Sequence, residues 1–343
     1  AAQGFDWDEE TLQKVLGFLD GLPVEEIQIE FQGGEPFLRL DLLQAVAAFA
    51  RRRFRSVRFV VCSNLQSLNE DILAFLESGD VLISPSLDGP HQVHTRNRTA
   101  DSALTETFLG NLERVIGLIG PGRISALPTI DMKDPPEPEE LIATYEGFGF
   151  TSLYLRPVNY QGFARKSHPT ARTSASWNAY YRDFIEALIA RNARTGRVME
   201  EFYLAHCLRR ILAPGMDSHT DLRNPNIPTG ANAVIDFDGQ IYPSDEARML
   251  ARIRQVDLAI GNVVDGLDQE KLALLAPGHI NNFDPDCIHC PYQPFCGTDP
   301  IDDLARNGRI DVPRHESWFC QRHLAIFDLA MELLYSADPE VEF

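Results

Sequence analysis

Residues 26–36 read EIQIEFQGGEP, with Ile27, Ile29 and Phe31 alternating before Gly33-Gly34-Glu35-Pro36. Alternation at period two marks a strand, and the glycine pair marks where it stops. Outward from this stretch, helical and extended patterns take turns. Residues 8–20 set Leu12, Val15, Leu16 and Leu19 on one helical face, closed by Gly21-Leu22-Pro23. A helix over 40–52 and a strand over 56–62 follow. A Ser67/Glu70 capping box then opens a helix that ends near Gly79, and a strand covers 81–87. The pattern predicts a helix at about 103–118, a strand near 123–130, a helix at 137–147 and a strand at 151–156. Repeated βα units of this length imply a parallel sheet, open or closed into a barrel. The chain opens on a helix rather than a strand, so its first unit reads as incomplete.

Past residue 165 the pattern changes. A polar link at 166–175 leads into two helices over 176–213, and 215–230 is rich in Asp, Asn, Pro and Gly. Residues 233–241 predict a hairpin turning at Asp238-Gly239, and an amphipathic helix runs from about Cys320 to Tyr335. The expected organisation is an α/β domain over 1–165, a helical linker region over 166–228 and a small cysteine-bearing domain over 229–343.

The 343 residues suffice for about two domains at roughly 150 residues each. Acids outnumber bases 50 to 31, and a net charge of −19 repels phosphate backbones, so nucleic acid is a poor partner. No apolar stretch nears the roughly 18–20 residues of a membrane span, and the start has no signal-peptide pattern. The expected location is cytoplasmic.

Four of the six cysteines fall together: Cys287, Cys290 and Cys296, then Cys320. Two thiols separated by two residues can bite one metal centre from a single turn. Four thiolates suit either a tetrahedral zinc or one [4Fe–4S] cluster. Packing explains such a set poorly in a Pro-rich, loop-like segment, whereas Cys62 and Cys207 read as packing residues. His289 reads as a solvated loop histidine. The Arg51-Arg52-Arg53 run reads as the solvated end of a helix.

Parallel α/β folds place ligands at the carboxyl ends of their strands. There this chain has Gly33, Gly34, Glu35 and Pro36, then Ser63-Asn64, then Ser86-Leu87-Asp88-Gly89-Pro90. Glycines allow close backbone approach to a ligand, and Glu35 offers a carboxylate to an ammonium group.

Together these motifs resemble the radical S-adenosylmethionine enzymes that carry a C-terminal SPASM domain. GGEP corresponds to that superfamily's contact to the methionine amino group. SLDGP with His94 and Arg98 is similar to its fourth strand and loop, and Cys-x2-Cys-x5-Cys plus a late Cys to a SPASM auxiliary cluster. IEFQGGEP, SLDGP, SDEARML and CPYQPFCG look closest to the His-Xaa-Ser-system maturases, which are associated with ribosomally made peptides. The resemblance implies a partial (β/α)6 radical SAM barrel lacking its first strand, plus a small C-terminal SPASM iron–sulfur domain. It implies S-adenosylmethionine held by Gly33, Gly34, Glu35, Pro36, Ser63, Asn64, Ser86 and Arg98, and one auxiliary [4Fe–4S] cluster on Cys287, Cys290, Cys296 and Cys320.

Two departures qualify it. The superfamily's own Cys-x3-Cys-x2-Cys is absent, since no cysteine precedes Cys62. The first strand is absent with it. The expectation is a missing upstream segment, without which this chain cannot cleave the cofactor; restoring the segment restores the radical SAM [4Fe–4S] cluster. Second, Ser244 stands where a second auxiliary cluster would take a cysteine, and Pro300 replaces another. Asp245, directly after Ser244, matches a proton acceptor of the related sulfatase-maturing enzymes. Its plain alternative is an ion pair with Arg248.

The implied function is modification of a precursor peptide by hydrogen abstraction, with side-chain cross-linking as one outcome. Formylglycine generation or another SPASM oxidation, and a catalytically dead peptide-binding scaffold, stand as alternatives. Implied partners are the peptide, a partner maturase and an electron donor such as flavodoxin or ferredoxin.

Overall fold

A computed structural model of the chain describes residues 5–161, 173–213 and 232–342. The 215–230 stretch and most of the 166–175 link lie outside them. The chain divides into two compact units, residues 1–156 with 196–201, and residues 157–195 with 202–343.

The first unit is built on three parallel strands in the order β1 (Glu26–Phe31), β2 (Ser56–Ser63) and β3 (Val81–Pro85). Helices α1 (Glu9–Asp20), α2 (Leu40–Arg53) and α3 (Glu70–Glu77) alternate with them. Leu12, Val15 and Leu19 of α1, Val46, Ala47 and Ala50 of α2, and Leu76 of α3 are buried with Phe59, Val61 and Ile83 of the sheet. Such apolar stripes are what hold the helices to the unit. β1 is the edge strand of this sheet, and none of its residues is fully buried.

The strands expected at 123–130 and 151–156 are present only as short pieces. Strand is present at Thr129–Ile130, Ser152–Leu153 and Arg156–Pro157. Single bonds continue the parallel course: Ser125 N–H to Ile83 O, Tyr154 N–H to Ala126 O and Arg156 N–H to Pro128 O, at 2.8–3.0 Å. Pro128 and Pro157 cannot donate, which interrupts a ladder. Ser152–Leu153 pairs with Glu200–Glu201, a strand not foreseen inside the helical stretch 176–213.

Caps and turns differ in detail from expectation. Asn69, not Ser67, caps α3, its Oδ1 accepting from Ile72 N–H at 2.9 Å. The arginine run is the largely exposed last turn of α2, as expected, and two of its members also make contacts. Arg51 makes two 2.7 Å bonds to Asp80, and Arg53 donates to the carbonyls of Asp20 and Leu22.

The second unit holds a four-stranded antiparallel meander: Val234–Ile235, Gln240–Tyr242, Gly261–Asn262 and Gly266–Leu267. The expected hairpin is there, but its loop is four residues, Asp236–Gly239, with Gly239 at φ +80°. Gly261 admits no side chain, because a Cβ would stand 2.1 Å from Gly266 O. Tyr242, Ala247, Leu250, Ala259, Ile301 and Ala305 form a core beside the meander. The long helices Ala175–Thr195 and Trp318–Leu334 belong to the same unit.

Candidate functional site

In the first unit the strand ends converge on one carboxylate. Glu35 follows β1 and caps the short turn Pro36–Arg39, its Oε1 accepting Phe37 N–H at 3.2 Å. Oε1 also accepts Ser63 Oγ–H at 2.9 Å, and Oε2 accepts Asn64 N–H at 2.8 Å, both from the end of β2. Ser86, just past β3, donates its N–H to Ser63 O at 3.0 Å. The structure therefore brings Glu35, Ser63, Asn64 and Ser86 together. Three of the roughly four acceptor positions of Glu35 are filled, which leaves one for an ammonium group.

Gly33 sits at φ +133°, where any other residue is strained. A Cβ on Gly33 or Gly34 would meet nothing within 4 Å. Both glycines thus border open space, and Pro36, two residues on from Gly34, is buried. This arrangement leaves room beside Glu35 for a ligand that carries an ammonium group.

Arg98 is held elsewhere. Its Nε and Nη2 donate to Asp88 at 2.6 and 2.9 Å, and Asp88 also accepts Thr129 N–H at 3.3 Å. Asp88 is buried while the Arg98 side chain is 38% exposed, so the guanidinium is anchored from behind and open in front. Buried Tyr145 donates to Leu87 O at 2.6 Å, fixing the same loop. Sequence reading gave Asp88 and Tyr145 no part in this. His94 is buried and stacked on Phe108 at 4.3 Å, and burial pulls its pKa down to about 4. Cys62 donates to Glu30 at 3.1 Å, and burial, then Glu30, push its thiol up, so it stays protonated.

The second unit carries the four thiols. Turns over residues 284–296 present three of them: Cys287 N–H bonds Asp284 O, Cys290 N–H bonds Cys287 O, and Gln293 N–H bonds Cys290 O. Buried Asn281 donates to Cys296 O at 2.9 Å and to Gln293 O. Cys320 lies in the first turn of the helix Trp318–Leu334, capped by Ser317.

The thiols lie within electrostatic reach of one another. Cys296 is pushed up by burial first, then by Cys320, Cys287 and Cys290. Cys320 is pushed up to about 11 by burial and then Cys290, and Cys287 to about 12 by burial and then Asp284. Among the described residues no three His, Cys, Asp or Glu side chains are grouped as a chelate for a metal ion. His289 is exposed. His323, unremarked in the sequence, stands 3.4 Å from Cys296; its Cys320-x2-His323 helical spacing was the available signal.

Asp245 opens the helix Asp245–Arg252, which Ser244 caps through Ala247 N–H. Its Oδ1 accepts Arg248 Nε and Nη2 at 2.9 and 2.6 Å. Asp236, the first residue of the hairpin loop, is buried and accepts Arg252 at 2.7 Å.

No family model matches the chain. An uncharacterized protein of Methanocaldococcus jannaschii is 26% identical over 86 residues. That match covers 24% of this chain and 30% of the relative. Solved structures go further. Native anSMEcpe with bound AdoMet superposes at a TM-score of 0.74, covering 96% of this chain and 89% of that one, at 16% identity. The fold resembles that of anSMEcpe. The same protein with AdoMet and Cp18Cys peptide also gives 0.74, over 96% and 90% of the two chains, at 16% identity. With Kp18Cys peptide it gives 0.73 at the same coverage and identity. At such identity the likeness is one of fold. No helix among the described residues is long and apolar enough to cross a membrane.

Proposed function

We propose that this chain belongs to a radical S-adenosylmethionine maturase that modifies a ribosomally made precursor peptide by hydrogen abstraction. The observation that carries the reading is Glu35, whose carboxylate is braced by Ser63 and Asn64 beside two open glycines. It stands in a fold shared with a protein solved with AdoMet and with peptides.

In this reading the first unit is the partial barrel and the second the SPASM-type domain. Glu35 accepts the cofactor's ammonium group, Gly33 and Gly34 leave room for it, and Pro36 backs the loop. Ser63 and Asn64 keep the carboxylate aimed and Ser86 braces Ser63; Arg98, paired with Asp88 apart from this group, is assigned to the cofactor on the motif resemblance alone. S-adenosylmethionine and a reducing [4Fe–4S] group, when bound, would supply the radical chemistry, while this chain's own residues would hold and orient the cofactor. Cys287, Cys290, Cys296 and Cys320 hold one auxiliary [4Fe–4S] group. The Cys-x2-Cys-x5-Cys spacing with a late cysteine, in a chain that also carries GGEP, supports a cluster over zinc. Asp245 is the proton acceptor, on condition that Arg248 releases or shares its carboxylate.

The test is co-expression of the full-length encoded protein with the peptide encoded beside it, followed by mass spectrometry and assay of 5′-deoxyadenosine. Deoxyadenosine with a peptide that has lost hydrogens is the expected result. An aldehyde at a Cys or Ser of the peptide would support the formylglycine reading. Peptide binding with neither product would support the scaffold.

A further inference from the structure

His323 is only 1% exposed and lies one helical turn past Cys320. Its Nδ1 is 3.4 Å from Cys296 Sγ. Its Nε2 faces the Tyr203 hydroxyl and, at 3.1 Å, Arg322 Nη2. The Phe319 ring packs on the imidazole with centroids 3.8 Å apart, and Phe327 meets it edge-on.

These neighbours decide where the imidazole hydrogen sits. A guanidinium only donates, so the Nε2 beside Arg322 offers its lone pair. A ring whose Nε2 accepts carries its hydrogen on Nδ1. That hydrogen faces the sulfur of Cys296. The Cys296 thiol meanwhile has Gly297 O at 3.4 Å as its own acceptor, so its sulfur is free to receive.

We propose that His323 is a fixed hydrogen-bond donor to Cys296 that raises the reduction potential of the iron–sulfur group held there, with Tyr203 and Arg322 as its positioning residues. The proposal rests on the cluster assignment above. A thiolate accepts more strongly than a thiol, so the bond tightens when Cys296 becomes a ligand. A donor aimed at a ligand sulfur stabilises the charge added on reduction.

The test compares full-length wild type, His323→Leu and His323→Asn after anaerobic reconstitution, by iron and sulfide content and by potentiometric titration of the auxiliary signal. In His323→Leu the reduced-to-oxidised ratio at fixed potential should fall about tenfold, equivalent to about 59 mV for one electron. His323→Asn, whose amide N–H lies near the former Nδ1, should recover most of it. In wild type labelled with ¹⁵N-histidine, pulsed EPR of the reduced cluster should show one coupled histidine nitrogen. That readout serves even where the leucine variant does not assemble. Full iron content with unchanged potential in His323→Leu, or no histidine coupling in wild type, overturns the donor role alone. Wild type holding zinc and no iron overturns the cluster assignment and the donor role together.

Discussion

Arg314 donates through Nε to Asp284 Oδ2 at 2.8 Å, and its backbone N–H reaches Asp286 Oδ2 at 2.8 Å. Asp284 in turn accepts the N–H groups of Asp286 and Cys287 at 3.0 and 3.2 Å. One arginine thereby ties the segment before Cys320 to the turn that presents Cys287. Its Nη1 also reaches buried Asp303 at 3.2 Å.

Arg314→Leu leaves Asp284 and Asp303 without this partner in a largely dry setting. Breaking a buried pair from one side costs about 3–5 kcal/mol. The variant should unfold at lower temperature by calorimetry and retain less iron per chain after reconstitution. Wild-type melting with wild-type iron would show that the clamp is dispensable.

Glu35→Ala removes the acceptor of Ser63, Asn64 and Phe37 and the one site left for an ammonium group. S-adenosylmethionine affinity, measured by calorimetric titration of full-length protein, should fall at least tenfold, in keeping with about 1.5–3 kcal/mol for a charged hydrogen bond. Glu35→Gln keeps the shape, loses the charge and should fall between. Equal affinity in all three proteins would remove Glu35 from the cofactor site.

How much of this was legible in the sequence depends on the range of the forces involved. The βα alternation through β3 follows from local periodicity, and it is present. The strands near 123–130 and 151–156 are present as short pieces, at Thr129–Ile130, Ser152–Leu153 and Arg156–Pro157, and Pro128 has no N–H to extend the pairing. The Glu35 site was legible through its neighbours at other strand ends. The bond from Ser63 to Glu35 spans 28 residues and has no local signature. Likewise Asp245 could be named together with its rival role, the Arg248 pair, and that pair is present. His323 escaped because a histidine three residues past a cysteine means little until the fold brings Cys296 beside it.

Burial holds His94 near pKa 4 against an ordinary value of 6.5, with Asp88 opposing the shift. Between those pH values the unfolded chain binds a proton that the folded chain refuses. The stabilisation is therefore complete above pH 6.5 and is lost as pH falls toward 4, by on the order of 3 kcal/mol in total. His94→Phe keeps the stacking on Phe108 and should flatten this part of the pH profile in urea melts. An unchanged profile would mean that other groups govern acid unfolding.

Asp245→Asn should leave 5′-deoxyadenosine formation largely intact in full-length protein while lowering peptide product by roughly 10²–10⁴-fold, the range for a general base. Arg248→Met frees the carboxylate from its ion pair and should preserve turnover. Should Asp245 serve only that pair, both variants would lose similar stability, and neither would lose product selectively.

The most direct test of the central claim is iron and acid-labile sulfide analysis of the 343-residue chain, purified and reconstituted without oxygen. About four irons and four sulfides per chain are expected if Cys287, Cys290, Cys296 and Cys320 hold one cluster as proposed. The Cys287→Ala/Cys320→Ala double variant should lose most of both. Stoichiometric zinc with no iron after reconstitution, or iron that persists in the double variant, would contradict the account.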